Sequence, residues 1–104
     1  PALRNRPVVV LVMTEFGRRL RANLSSGTDH GHGACWMVLG NGVRGGQVLG
    51  NWPGLAADKL DRGVDLAVTT DYRAVCAAVL GRVGLKAGPV FSDWTGSGLN
   101  RLFV

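Results

Sequence analysis

Val8-Val9-Val10-Leu11-Val12-Met13 is an unbroken apolar run, opened by Pro7 and free of polar alternation. A run of this kind reads as a strand covered on both faces, as in a parallel sheet flanked by helices. It stops at the polar cluster Thr14-Glu15-Phe16-Gly17-Arg18-Arg19. Phe16, Leu20 and Leu24 then recur at helical spacing, which predicts a short amphipathic helix capped by Thr14. Strand, polar turn and helix is the arrangement in which open α/β sheets present ligand groups at strand carboxyl ends.

The residues before the run, Pro1 to Arg6, form a polar, basic lead-in. The apolar run is too short for a signal peptide core followed by a cleavage site, so no export signal is expected within this chain. No apolar stretch approaches the roughly 20 residues needed to cross a bilayer. At 104 residues, the chain bounds one domain at most.

Further along, Asn23 to Gly33 reads as a loop, and Ala34 to Leu39 as a second strand. Gly40-Asn41-Gly42 and Gly45-Gly46 predict a tight turn or small hairpin. Leu55 to Gly63 reads as polar with one helical turn, and Val64 to Val68 as a short extended segment. Tyr72, Val75, Cys76, Val79, Leu80 and Val83 form an apolar stripe of helical period. Thr70 is the predicted cap of that helix and Gly84 its stop. Lys86 to Val104 contains Pro89 and several glycines and reads as an irregular tail laid over the surface.

The chemistry concentrates in Thr28-Asp29-His30-Gly31-His32-Gly33, which holds both histidines of the chain. Carboxylate and imidazole are ligands for zinc, manganese or iron. In an extended segment His30 and His32 would point the same way and could face one ion. The competing reading is a surface loop with an Asx-turn at Asp29. Glu15, at the end of the first strand, could bind the same metal or act as a base; the plain alternative is a helix-start carboxylate. Arg18, Arg19 and Arg21 could hold an anion, or line a solvated helix face.

The aromatic residues Trp36, Trp52 and Tyr72 read as packing residues. Cys35 and Cys76 lack metal-site spacing and read as two buried thiols, with a single disulfide as the alternative. The chain carries 12 Lys+Arg against 7 Asp+Glu, a net +5. That balance permits anion contact, but without a recognition motif it ranks a nucleic-acid-binding module third. The glycine-rich stretch Gly40 to Gly46 lacks the Gly-Lys-Ser/Thr ending of a phosphate-binding loop.

Four blocks carry a resemblance. They are VVVLVMTEFGR at 8–18, GTDHGHG at 27–33, VLGNGVRGGQVLGNWPGL at 38–55 and DLAVTTDYRAVCAAVLGRVGL at 65–85. In this order they resemble the C-terminal part of an uncharacterised, sulfatase-like family of the alkaline-phosphatase superfamily, usually exported through a twin-arginine signal. The resemblance covers about residues 7–92. It implies an α/β fold, here the C-terminal portion of a three-layer α/β/α alkaline-phosphatase-like domain, with residues 1–104 one segment of it. It also implies a divalent metal (zinc, manganese or calcium), a small anionic ester substrate and a periplasmic or exported location.

In the superfamily a strand ends in an Asp-His-Gly ligand motif, and a further histidine arrives from a later loop. Glu15-Phe16-Gly17 occupies the first motif, with Phe16 where a ligand histidine is expected. His30, with Asp29, resembles the later histidine, and His32 is an additional candidate. The implied ligand set is therefore Glu15, Asp29, His30 and His32, with Arg18 as the anion contact. The superfamily's nucleophile has no counterpart here, so the isolated chain is expected to be inactive. It is also expected to expose apolar faces that favour self-association. A binding or structural protein that kept the fold and lost catalysis is the second functional reading.

Overall fold

A computed structural model describes residues 7–104, so the lead-in Pro1 to Arg6 lies outside the described residues. The first apolar run forms β1 (Val9–Val12), and the second run forms β4 (Met37–Gly40). Between them lie β2 (Gly17–Ala22) and β3 (Thr28–Gly31). A short 3-10 turn, Ala57–Lys59, supplies the predicted helical turn, and α1 spans Tyr72–Arg82. Two two-stranded sheets result, β1 with β4 and β2 with β3. The described chain falls into two units.

Among the described residues, one unit contains residues 7–11, Val38–Leu49 and Thr70–Val104. Asn41 N–H donates to the Val8 carbonyl at 3.1 Å, which sets the end of β4 against the start of β1. Of the expected tight turn or small hairpin after β4, the turn forms and the hairpin does not. The chain does turn at Gly42, whose φ is +77°, but Val43 then bridges Phe103 of the C-terminal segment. Arg44 N–H donates to the Leu102 carbonyl and Val104 N–H to the Gly42 carbonyl. The tail is irregular, as expected, yet it is more than a surface strap. Leu102 is the buried apolar side chain of the described residues, and Leu99 N–H donates to the Ala74 carbonyl on α1.

The helix begins one residue later than predicted. Asp71, not Thr70, is its cap, and its carboxylate accepts the Arg73 N–H at 2.8 Å. Gly84 ends it as predicted, in the left-handed region at φ +79°. The apolar stripe does not make a core: no side chain of α1 is buried.

The other unit contains Val12–Met37 and Gly50–Thr69. Here the helix expected over Phe16 to Leu24 is replaced by β2, and part of the expected loop by β3. The two strands pair antiparallel, with Gly17 opposite Gly31 and Arg18 opposite His30. Helical spacing failed because the backbone groups of β2 are claimed from outside the segment. Arg18 N–H donates to the Gly33 carbonyl, Gly33 N–H to Leu66, and Leu66 N–H to Arg18, a closed three-way set. Leu20 N–H donates to the Val64 carbonyl. Leu24, the last residue of the supposed stripe, is fully exposed.

Glycine makes this approach possible. A Cβ on Gly31 would lie 2.5 Å from the Arg18 carbonyl carbon, and one on Gly33 2.8 Å from the Leu66 oxygen. Both obstacles are backbone, which cannot rotate away. The reversal between the strands is organised by Asn23. Its side-chain oxygen accepts from Ser25 N–H and Gly27 N–H, and its amide donates to Asp29 at 2.8 Å.

Candidate functional site

The residues with ligand chemistry meet in this second unit, though in a different combination from the expected one. Gly31 ends β3, and the chain bends at His32. The Leu60 to Asp65 segment makes a tight reversal facing it. Asp61 N–H donates to the Asp65 carbonyl and Asp65 N–H to the Asp61 carbonyl. The reversal uses two left-handed residues, Arg62 at φ 52° and Gly63 at φ 70°. It places two carboxylates on one short loop.

His32 Nδ1 pairs with the Asp61 carboxylate. The Asp65 side chain is 3% exposed and is held by Arg19 Nε at 3.3 Å and Arg62 Nη2 at 2.9 Å. Arg62 Nη2 also lies 3.5 Å from His32 Nε2. One ligand atom each from His32, Asp61 and Asp65 lies within 4.8 Å of the others. Two carboxylates and a neutral imidazole suit a hard or borderline divalent cation. The same two negative charges are at present balanced by the two guanidinium groups.

Of the four sequence-predicted ligands, His32 joins this group. Asp29 accepts from Asn23 and lies 3.7 Å from Arg19 Nη1, so it fastens the β2–β3 reversal. His30 stands on β3 with its ring edge-on to Phe16, centroids 5.6 Å apart. Glu15 is exposed in the segment between β1 and β2. Among the described residues, neither Glu15, Asp29 nor His30 belongs to a cluster of three ligands. Arg18, the predicted anion contact, has Nη1 buried with no hydrogen-bond partner. A guanidinium nitrogen shut away without an acceptor carries an unmet demand for one.

Asp61 and Asp65 were not singled out from the sequence. The available signal was an Asp at each end of a glycine-containing turn, Asp61-Arg62-Gly63-Val64-Asp65. The cysteines differ from expectation too: both are free, and Cys35 is exposed instead of buried. Partial burial pushes the Cys76 thiol up from its ordinary value, which makes it a poor nucleophile at neutral pH. Trp52 is exposed rather than packed. Trp36 is part-buried and donates its ring N–H to the Thr14 carbonyl at 2.8 Å.

No helix among the described residues is long and apolar enough to cross a membrane. No curated protein and no solved structure matches the chain. A family match does exist, and it runs over residues 5–88, most of the chain. It spans both strand pairs, the His32–Asp61–Asp65 cluster and α1, and by it the chain belongs to the family described as "protein of unknown function (DUF1501)".

Proposed function

We propose that this chain is the C-terminal portion of a metal-dependent hydrolase-like protein acting on small phosphate or sulfate esters, inactive as an isolated chain. The observation that carries the proposal is the convergence of His32, Asp61 and Asp65 to within 4.8 Å. The resemblance to sulfatase-like proteins of the alkaline-phosphatase superfamily supplies the reaction class, and with it the periplasmic or exported location.

The donor set fits a divalent ion. His32 is exposed and Arg62 is 67% exposed, so Arg62 can swing into solvent and leave its carboxylates free. Asp65, fixed from the β2 side by Arg19, would remain in place as a ligand. A divalent ion held there would supply Lewis-acid polarisation of an ester oxygen. Arg18 is the proposed contact for the anionic group of the ester.

Metal analysis of the full-length parent tests this. His32→Ala and Asp61→Asn are expected to lose the bound ion, whereas metal content equal to the unsubstituted protein would remove the ligand assignment.

A second reading has its own observation. Asp65 already has two guanidinium partners, at 3.3 and 2.9 Å, so the cluster is complete as an ion-pair network. On this reading the fold survives in a non-catalytic binding or structural protein. Turnover of aryl phosphates or aryl sulfates by the full-length parent would count against it.

A further inference from the structure

We propose that Asn41 is a self-modification site, deamidated through a succinimide to aspartate and isoaspartate, with Arg82 stabilising the oxygen that gains charge. The argument is independent of the metal assignment and lies wholly within the α1 unit. Asn41-Gly42 is the one Asn-Gly pair of the sequence. Asn5, Asn23, Asn51 and Asn100 precede Arg6, Leu24, Trp52 and Arg101. The attacking group in this reaction is the backbone nitrogen of the second residue. A glycine there has no Cβ to obstruct ring closure.

The fold leaves that nitrogen available. Asn41 N–H donates to the Val8 carbonyl at 3.1 Å and Val43 N–H to the Gly40 carbonyl at 3.3 Å. Between them, the Gly42 N–H has no acceptor among the described residues. Asn41 itself is exposed on the turn, so water and base reach its carboxamide.

The carboxamide oxygen, by contrast, is held. Arg82 Nη2 donates to Asn41 Oδ1 at 3.4 Å. Two further contacts keep the guanidinium there. It lies across Gly42, where an added Cβ would collide with Nη2, and its carbon is 5.9 Å from the centre of the Phe103 ring. Among the described residues Arg82 has no carboxylate partner.

The step balances with water as the co-reactant. Base takes the Gly42 N–H proton, and the nitrogen bonds to Asn41 Cγ. Negative charge then collects on Oδ1, facing the Arg82 guanidinium. Collapse breaks the Cγ–Nδ2 bond, and Nδ2 takes up a proton and leaves as ammonia. Water opens the ring at one carbonyl to aspartate or at the other to isoaspartate. Either product lowers the net +5 by one and brings a carboxylate to the turn beside Arg82. Isoaspartate also lengthens the backbone of the turn whose Gly42 carbonyl accepts the Val104 N–H.

Peptide mapping by mass spectrometry, after incubation at mildly alkaline pH, is the test, with circular dichroism to verify folding. The folded chain is expected to convert at Asn41 and to keep Asn23, Asn51 and Asn100. Arg82→Gln is expected to slow conversion about threefold, the scale of one exposed charged contact. Arg82→Lys retains a cation and is expected to recover part of the rate. In urea the wild type and Arg82→Gln are expected to convert equally, because the contact is gone. Asn41 that stays intact in the folded chain while the urea-unfolded chain converts would overturn the proposal. Equal rates for folded wild type and folded Arg82→Gln would overturn the part given to Arg82.

Discussion

The two units of this chain are held together by opposite means. The β2–β3 unit has little apolar interior, and its buried positions are Gly17, Gly31, Gly33 and Asp65. Its cohesion comes from backbone laid directly on backbone, with ion pairs gathered round one carboxylate. The α1 unit is rich in apolar side chains and buries Leu102. Its strands and helix carry the composition of a core that the described residues do not enclose. The difference teaches that hydrophobic content does not by itself predict where rigidity lies. The polar unit is the better specified of the two, because each close contact in it admits one arrangement.

If that contrast is right, the largest effect follows from adding a single methyl group. Gly31→Ala places a Cβ 2.5 Å from the Arg18 carbonyl carbon, and only strand separation relieves it. A loss of about 2–3 kcal/mol is expected in denaturant unfolding. Gly45→Ala, where nothing lies within 4 Å, is expected to change stability by less than about 0.5 kcal/mol. Equal effects at the two sites would break the comparison at its root.

Asp65→Ala comes next. It leaves Arg19 and Arg62 without their shared acceptor, but these side chains are 44% and 67% exposed and water compensates them in part. The expected loss is about 1.5 kcal/mol in the same unfolding experiment. Smaller still is Val79→Ala on α1. Val79 is half-buried, and alanine's better helix propensity offsets part of the lost contact, so a change within about 0.5 kcal/mol is expected for the monomer. A loss above about 2 kcal/mol would mean that α1 is fully covered in solution.

The same contrast explains what was legible in the sequence. β1 was readable because an unbroken apolar run has few alternatives. α1 was readable because spacing, cap and stop agreed, and the error of one residue at its start came from choosing a hydroxyl over the neighbouring carboxylate. β2 was not readable, because Phe16, Leu20 and Leu24 satisfy a helix locally while the deciding hydrogen bonds come from Gly33, Val64 and Leu66. At the candidate site, His32 was visible as an imidazole among glycines. Asp65 was hidden: it lies in an ordinary-looking polar turn, and one of its partners, Arg19, is 46 residues away. The hairpin after β4 was misplaced for a related reason. The glycines announced a turn correctly, but the returning residue Val43 bridges Phe103 at the far end of the chain.

The pH-dependent effect concerns the polar fastening at the start of α1. Asp71 accepts the Arg73 N–H and pairs with the Arg73 guanidinium at 2.8 Å. Those hydrogen bonds hold its carboxyl below the ordinary value of 3.8. A carboxyl depressed in the folded state contributes stability that is fully present above its unfolded pKa. That contribution is lost as pH falls through the folded value. Helix content followed by circular dichroism is therefore expected to hold steady from neutral pH down to the carboxylate range and to decline below it. Asp71→Asn keeps a capping oxygen without the charge, so it is expected to flatten this part of the acid response while retaining most of the helix at neutral pH. Asp71→Ala is expected to lower helix content at every pH. If the asparagine variant titrates like the unsubstituted chain, the acid response arises elsewhere, and the ion pairs around Asp65 become the element to examine.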